Sequence, residues 1–129
     1  MAKAARKKLP LSGDRLVDTL FKIYIDALEK DVDAIYMKTW LRLPSNHKER
    51  AFGVWSPEEN SIFLDKNAHK KHKEPLSRTI IHELMHQTKP NVRHRRIYQL
   101  EAALWPRLTD NQKRYLREYI PRHTVKKEP

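Results

Sequence analysis

The chain contains no cysteine, so a disulfide framework, a thiolate metal site and a cysteine nucleophile are excluded. Any transition metal must be held by His, Asp or Glu. With only two glycines there is no glycine-rich loop to cradle a phosphate. No apolar run approaches the roughly 18 residues that a membrane span requires. The segment from Met1 to Lys8 is basic like the start of a secretory signal, but Ser12, Gly13, Asp14 and Arg15 arrive before an apolar stretch can form. A cytoplasmic protein is therefore expected. Acidic residues are scarce beside basic ones, 16 against 27, giving a formal net charge of +11. Such a balance draws a chain toward nucleic acid, anionic lipid or acidic proteins and says nothing about fold.

What is present suffices for one folded unit. A length of 129 residues supports a single core, and 39% hydrophobic residues is well above the composition of disordered chains. Residues 1–11 read as a flexible basic arm, residues 12–120 as one domain, and residues 121–129 as a tail. Ser12 or Asp14 can cap a helix of about 16 residues on which Leu16, Val17, Leu20, Phe21, Tyr24, Ala27 and Leu28 recur at helical spacing. Ile35, Met37, Leu41 and Leu43 then alternate with polar or half-exposed types, the pattern of a half-buried strand stopped at Pro44. Two short apolar runs, Ala51 to Trp55 and Ser61 to Asp65, flank the turn-forming Ser56-Pro57-Glu58-Glu59-Asn60 and read as an antiparallel hairpin. Lys66 to Glu74 reads as a basic, solvated loop containing His69 and His72. Three more helices are expected, over about 77–88 with Ser77 as cap, about 92–105, and about 109–120 with Thr109 as cap. The expected fold class is thus α+β, with an antiparallel sheet of about three strands packed against about four helices.

Chemistry concentrates in Thr79-Ile80-Ile81-His82-Glu83-Leu84-Met85-His86, which carries His-Glu-x-x-His on an expected helix. Residues four apart in a helix stand one turn above each other, so His82 and His86 can offer nitrogens to one ion. Glu83 shares their sector while Leu76, Ile80, Leu84 and Met85 occupy the other, which suits Glu83 as a general base. A catalytic zinc generally takes a third protein ligand and leaves one position for water. On the next helix His94, Ile97, Glu101 and Leu104 fall on one stripe, and both His94 and Glu101 qualify. A tight antiparallel turn at Lys89–Asn91 favours His94, because Glu101 lies about 10 Å farther along the helix. A wide crossing angle would change that outcome. The competing reading of Glu101 is an ion pair with a lysine or arginine.

On these residues the chain resembles the minigluzincins, very small zinc metallopeptidases with His-Glu-x-x-His and a downstream Glu ligand. The resemblance rests on His82, Glu83, Leu84, His86, Pro90, Val92, Ile97, Leu100 and Glu101 and covers residues 50–105 or so. It implies a zincin-like domain, a zinc endopeptidase activity with one Zn2+ per chain, and His82, His86 and Glu101 as ligands. It also makes residues 121–129 a candidate self-inhibitory segment. More distantly the chain is similar to SprT-like DNA-associated proteases, in which a His stands at the position of Glu101.

The mechanism expected from this reading is hydrolysis of peptide bonds by zinc-activated water, with Glu83 as the base and later the proton donor to the leaving amine. Tyr98, His94, Tyr119 and His123 are candidates by residue type for stabilising the oxyanion. The substrate, a peptide or protein, is expected to add as a strand beside Ser61 to Asp65. Trp40, Trp55 and Trp105 read as packing aromatics. The competing class is a basic nucleic-acid-binding module with structural zinc. Lys3, Arg6, Lys7, Lys8, Lys66, Lys70, Lys71, Lys73, Arg93, Arg95 and Arg96 could contact phosphates without sequence preference.

Overall fold

The computed structural model describes residues 8–38, 42–43, 46–50, 52–72, 75–120 and 124–125. Helix α1 spans Arg15–Lys30 and is started by Asp14, whose carboxylate accepts from the backbone N–H groups of Leu16 and Val17. Strand β1 is Ala34–Lys38, and a small antiparallel pair, β2 (Arg42–Leu43) with β3 (Asn46–Arg50), follows. The expected hairpin forms as β4 (Gly53–Ser56) and β5 (Ser61–Asp65), joined by a turn in which Asn60 takes a φ of 50°. Asparagine tolerates that left-handed conformation better than most side chains. Next come α2 (Lys66–His72), α3 (Leu76–Thr88) and α4 (His94–Leu104). A 3-10 turn over Trp105–Arg107, α5 (Asp110–Arg117) and the two-residue β6 (Thr124–Val125) complete the order.

The α+β class is as expected, but the sheet is mixed. Its order is β4-β5-β1-β6, with β4 antiparallel to β5 and both β5 and β6 parallel to β1. Alternation of apolar residues reports which face a strand buries and carries no information on its direction. Within this four-stranded sheet the expected antiparallel arrangement holds only for the hairpin. The long connection from β1 to β5 lets the chain re-enter alongside β1 in the same sense, pairing Ala34 with Ser61 and Lys38 with Asp65.

Lys66 to His72 is helical rather than a loop. Asp65 starts this helix by accepting from the N–H of Ala68 at 2.8 Å, and His69 is buried rather than solvated. Its ring bridges the Asp65 carbonyl and the Thr79 hydroxyl, each at 2.7 Å, which ties α2 to α3. In the segment read as a tail, Thr124 and Val125 pair with β1 at the sheet edge opposite β4.

Helix α3 is the centre of the molecule. Ser77 and the whole run Thr79 to Met85 are buried. Ile80, Ile81, Leu84 and Met85 join a core with Phe21, Tyr24, Ile25 and Leu28 of α1, Ile35, Ile62 and Leu64 of the sheet, Ile97 and Leu104 of α4, and Leu116 of α5. Each such side chain contributes about 1.5–3 kcal/mol by leaving water. Helix α5 is started by a capping box in which Thr109 and Gln112 satisfy each other's backbone N–H groups. No helix among the described residues is long and apolar enough to cross a membrane.

Candidate metal centre

Helix α3 stops at Thr88, and the chain turns through Lys89, whose carbonyl accepts from Val92 N–H at 3.1 Å. Proline at 90 cannot continue a helix, and α4 sets off at His94 in the opposite sense. Two antiparallel helices so joined meet in steps of about one turn. His86 therefore faces His94, His82 faces Tyr98, and Arg78 reaches Glu101.

The result is a cluster of three imidazoles. His86 Nε2 lies 3.2 Å from His82 Nε2 and 3.0 Å from His94 Nδ1. All three nitrogens are within 4.8 Å of one another, the group that could hold a metal ion among the described residues. With metal–nitrogen bonds of about 2.0–2.1 Å, tetrahedral ligands stand about 3.3 Å apart, so the two short separations are close to what one ion would impose. His82 is buried, His86 is half-buried and His94 is exposed, leaving the cluster open on the α4 side. Burial, reinforced by the neighbouring His82 and His94, pushes His86 down to about 4. Burial and His82 also lower His94. Neutral rings with available lone pairs are the form that binds a metal.

Glu101 is not in that cluster. Its Oε1 is 2.8 Å from His82 Nδ1, and its Oε2 accepts from Arg78 Nε. Burial acts to raise this carboxyl, but hydrogen bonds from His82 and Arg78 and the Arg78 charge outweigh it and hold the group below the usual carboxylate range. The stripe reading of α4 holds for Ile97, Glu101 and Leu104, which are buried, and not for His94.

Glu83 is buried next to the cluster on the side facing β4. Burial pushes its carboxyl up to about 7, the charge on Glu101 adds to the rise, and His82 and the backbone N–H of Trp55 draw it down. The Trp55 donor is available because β4 is an edge strand. Phe52 accepts from Asp65 N–H, so alternate residues along β4 pair with β5 while Trp55 turns its N–H outward.

Of the other expected site residues, Tyr98 is exposed and its ring centroid lies 4.6 Å from His82 and 4.7 Å from His94. Tyr119 is buried and donates to Glu29 of α1 at 2.5 Å, in an aromatic pair with Tyr115. His123 and Trp40 lie outside the described residues, as do Lys3, Arg6, Lys7 and Lys73. Trp55 and Trp105 pack against the core as expected. Strand β5, expected to receive a substrate, is wholly buried between β4 and β1, so the edge belongs to β4. Hydropathy marked β5 as apolar but not which hairpin arm lay outside.

Two participants were missed in the sequence. Arg78 stands one turn before His82 on the same helix, a spacing that could have flagged it as the partner of a buried Glu101. The Trp55 donor is a backbone group and leaves no mark in the sequence. Comparison of the chain with models of protein families, with curated proteins and with solved structures finds no match.

Proposed function

We propose that this chain is a metal-dependent hydrolase of peptide bonds, with His82, His86 and His94 holding one zinc ion and Glu83 acting as the general base. The observation that carries the reading is the three-imidazole cluster with a buried carboxyl group one residue along α3 from His82. Zinc held there would supply a Lewis acid that polarises a carbonyl and lowers the pKa of water toward about 7. The residues of the chain supply the rest. Glu83 takes a proton from the attacking water and returns it to the leaving nitrogen, a role favoured by a carboxyl pushed up to about 7. Trp55 N–H fixes the orientation of that carboxylate. An extended peptide is received along the outer edge of β4, where strand addition would lay it beside Glu83. The exposed Tyr98, at 4.7 Å between ring centroids from His94, is the candidate donor to developing negative charge.

The likeness to minigluzincins supports the peptidase assignment, and a carboxyl base beside the histidines supports a catalytic rather than a structural ion. The test compares the zinc-loaded full chain with its Glu83→Gln variant on an unstructured protein such as casein. Cleavage by the wild type alone, at equal zinc content, is expected; equal cleavage by both removes Glu83 from the mechanism, and none by either removes the peptidase reading.

A second reading, action near nucleic acid as in SprT-like proteases, is favoured by the exposure of Lys8, Lys66, Lys70, Lys71, Arg93, Arg95 and Arg96. Affinity for DNA that falls steeply with salt would support it.

A further inference from the structure

Each oxygen of Glu101 has its own partner. Oε1 meets His82 Nδ1 at 2.8 Å, and Oε2 is held by Arg78 Nε. A carboxylate paired with an arginine accepts, so the contact with His82 turns Nδ1 of the ring toward Glu101 as the donor. The ring's other nitrogen, Nε2, then faces His86 Nε2 at 3.2 Å. Ring rotation is fixed by one contact. The carboxylate is itself fixed, because it is buried on the same stripe as Ile97 and Leu104 and is gripped by an arginine one turn along the helix that carries His82.

We infer that Glu101 is a positioning residue for the metal centre and not a ligand to it. Together with Arg78 it presents His82 Nε2 to the ion, while His94 completes the ligand set. This rests on the metal-centre reading above and departs from the ligand role that the minigluzincin resemblance implies. A hydrogen-bonded carboxylate behind a ligating histidine orients the ring and raises its basicity, and its loss typically weakens metal binding about 10–100-fold.

The test titrates the full chain with Co(II), whose visible absorption reports the ligand set, and follows Zn(II) affinity by competition. Glu101→Ala is expected to keep the absorption envelope of the wild type with affinity lowered about 10–100-fold, and Glu101→Gln, which keeps an acceptor oxygen, to lose less. His94→Ala is expected to change the envelope. The inference is overturned if the Glu101 variants change the envelope while His94→Ala preserves it, or if both Glu101 variants bind as tightly as the wild type. Long-range proton–nitrogen correlation on the metal-free wild type needs no variant to fold. It is expected to find a proton on His82 Nδ1, and a bare Nδ1 would overturn the inference. A wild type that takes up no Co(II) ends the metal reading itself, whereas failure of this inference alone leaves wild-type uptake intact.

Discussion

The β4-facing and α4-facing sides of α3 place two carboxylates around His82 in unlike settings. Glu83 and Glu101 are almost equally buried, at 5% and 6% exposure, so burial alone would raise both. It raises only Glu83, to about 7, where one backbone N–H and His82 are insufficient to oppose it. Glu101 is less deeply enclosed and gains hydrogen bonds from His82 and Arg78 together with the Arg78 charge, and it stays below the usual range. Depth together with the number and charge of the donors pushes the two carboxyls apart. Two like groups pushed apart in this way suit two roles, one that takes up and returns a proton and one that stays a fixed anion.

The sharpest break in this comparison comes from neutralising the β4-side carboxyl. Glu83→Gln should lower peptide hydrolysis per bound zinc by about 10²–10⁴-fold, with zinc content unchanged, as read from casein cleavage and elemental analysis. Retained activity would mean that the unlike settings have no chemical consequence.

The two sides also depend on α3 staying seated. Leu84, fully buried in the shared core, should cost about 2–5 kcal/mol on substitution by alanine, measured by urea unfolding. A smaller effect addresses one side alone. A Cβ added at Gly53 would stand 2.5 Å from Thr79 Cγ2 and 3.2 Å from the Phe63 carbonyl, so Gly53→Ala must push β4 away from α3. It should destabilise the chain by about 1–3 kcal/mol, with partial recovery when Thr79→Ser removes the methyl. A double-mutant cycle measures that coupling.

The last prediction extends the donor rule to the surface. Asp18 accepts from Ser12 N–H and Oγ at 2.8 Å each, from Gly13 N–H at 3.2 Å and from Gln112 Nε2 at 2.9 Å. The backbone donor of Ser12, opposed by partial burial and aided by the other three, holds its carboxyl below the ordinary value of 3.8. A lowered folded-state value contributes stability that is present above the unfolded pKa and lost as pH falls through the folded one. Asp18→Asn should therefore unfold at lower urea than the wild type at neutral pH, with the gap closing in acid. A gap independent of pH would remove the carboxylate charge from the account.

The legible part of this molecule was local. The apolar spacing of Leu16 to Leu28, the Asp14 cap, the Ser56–Asn60 turn and the pairing of His82 with His86 on one helix face all follow from neighbours in sequence. A tight turn at Lys89–Asn91 favoured bringing His94 level with His86, but spacing left His94 and Glu101 both open as third ligand. Strand direction was not legible, since β1 pairs with β5 across a long connection and either sense buries the same residues. Nor was the burial of His69, which depends on Asp65 starting a short helix and on Thr79 arriving from α3 to meet the ring. Arg78 carried a usable signal in its spacing from His82; the outward Trp55 N–H carried none.

The central claim is that His82, His86 and His94 bind one metal ion. The direct test is zinc per chain by elemental analysis in the full-length wild type and His94→Ala after stoichiometric zinc is added and unbound metal removed. The account predicts about one zinc per wild-type chain and much less in His94→Ala; no zinc on the wild type, or equal zinc on both, would contradict it.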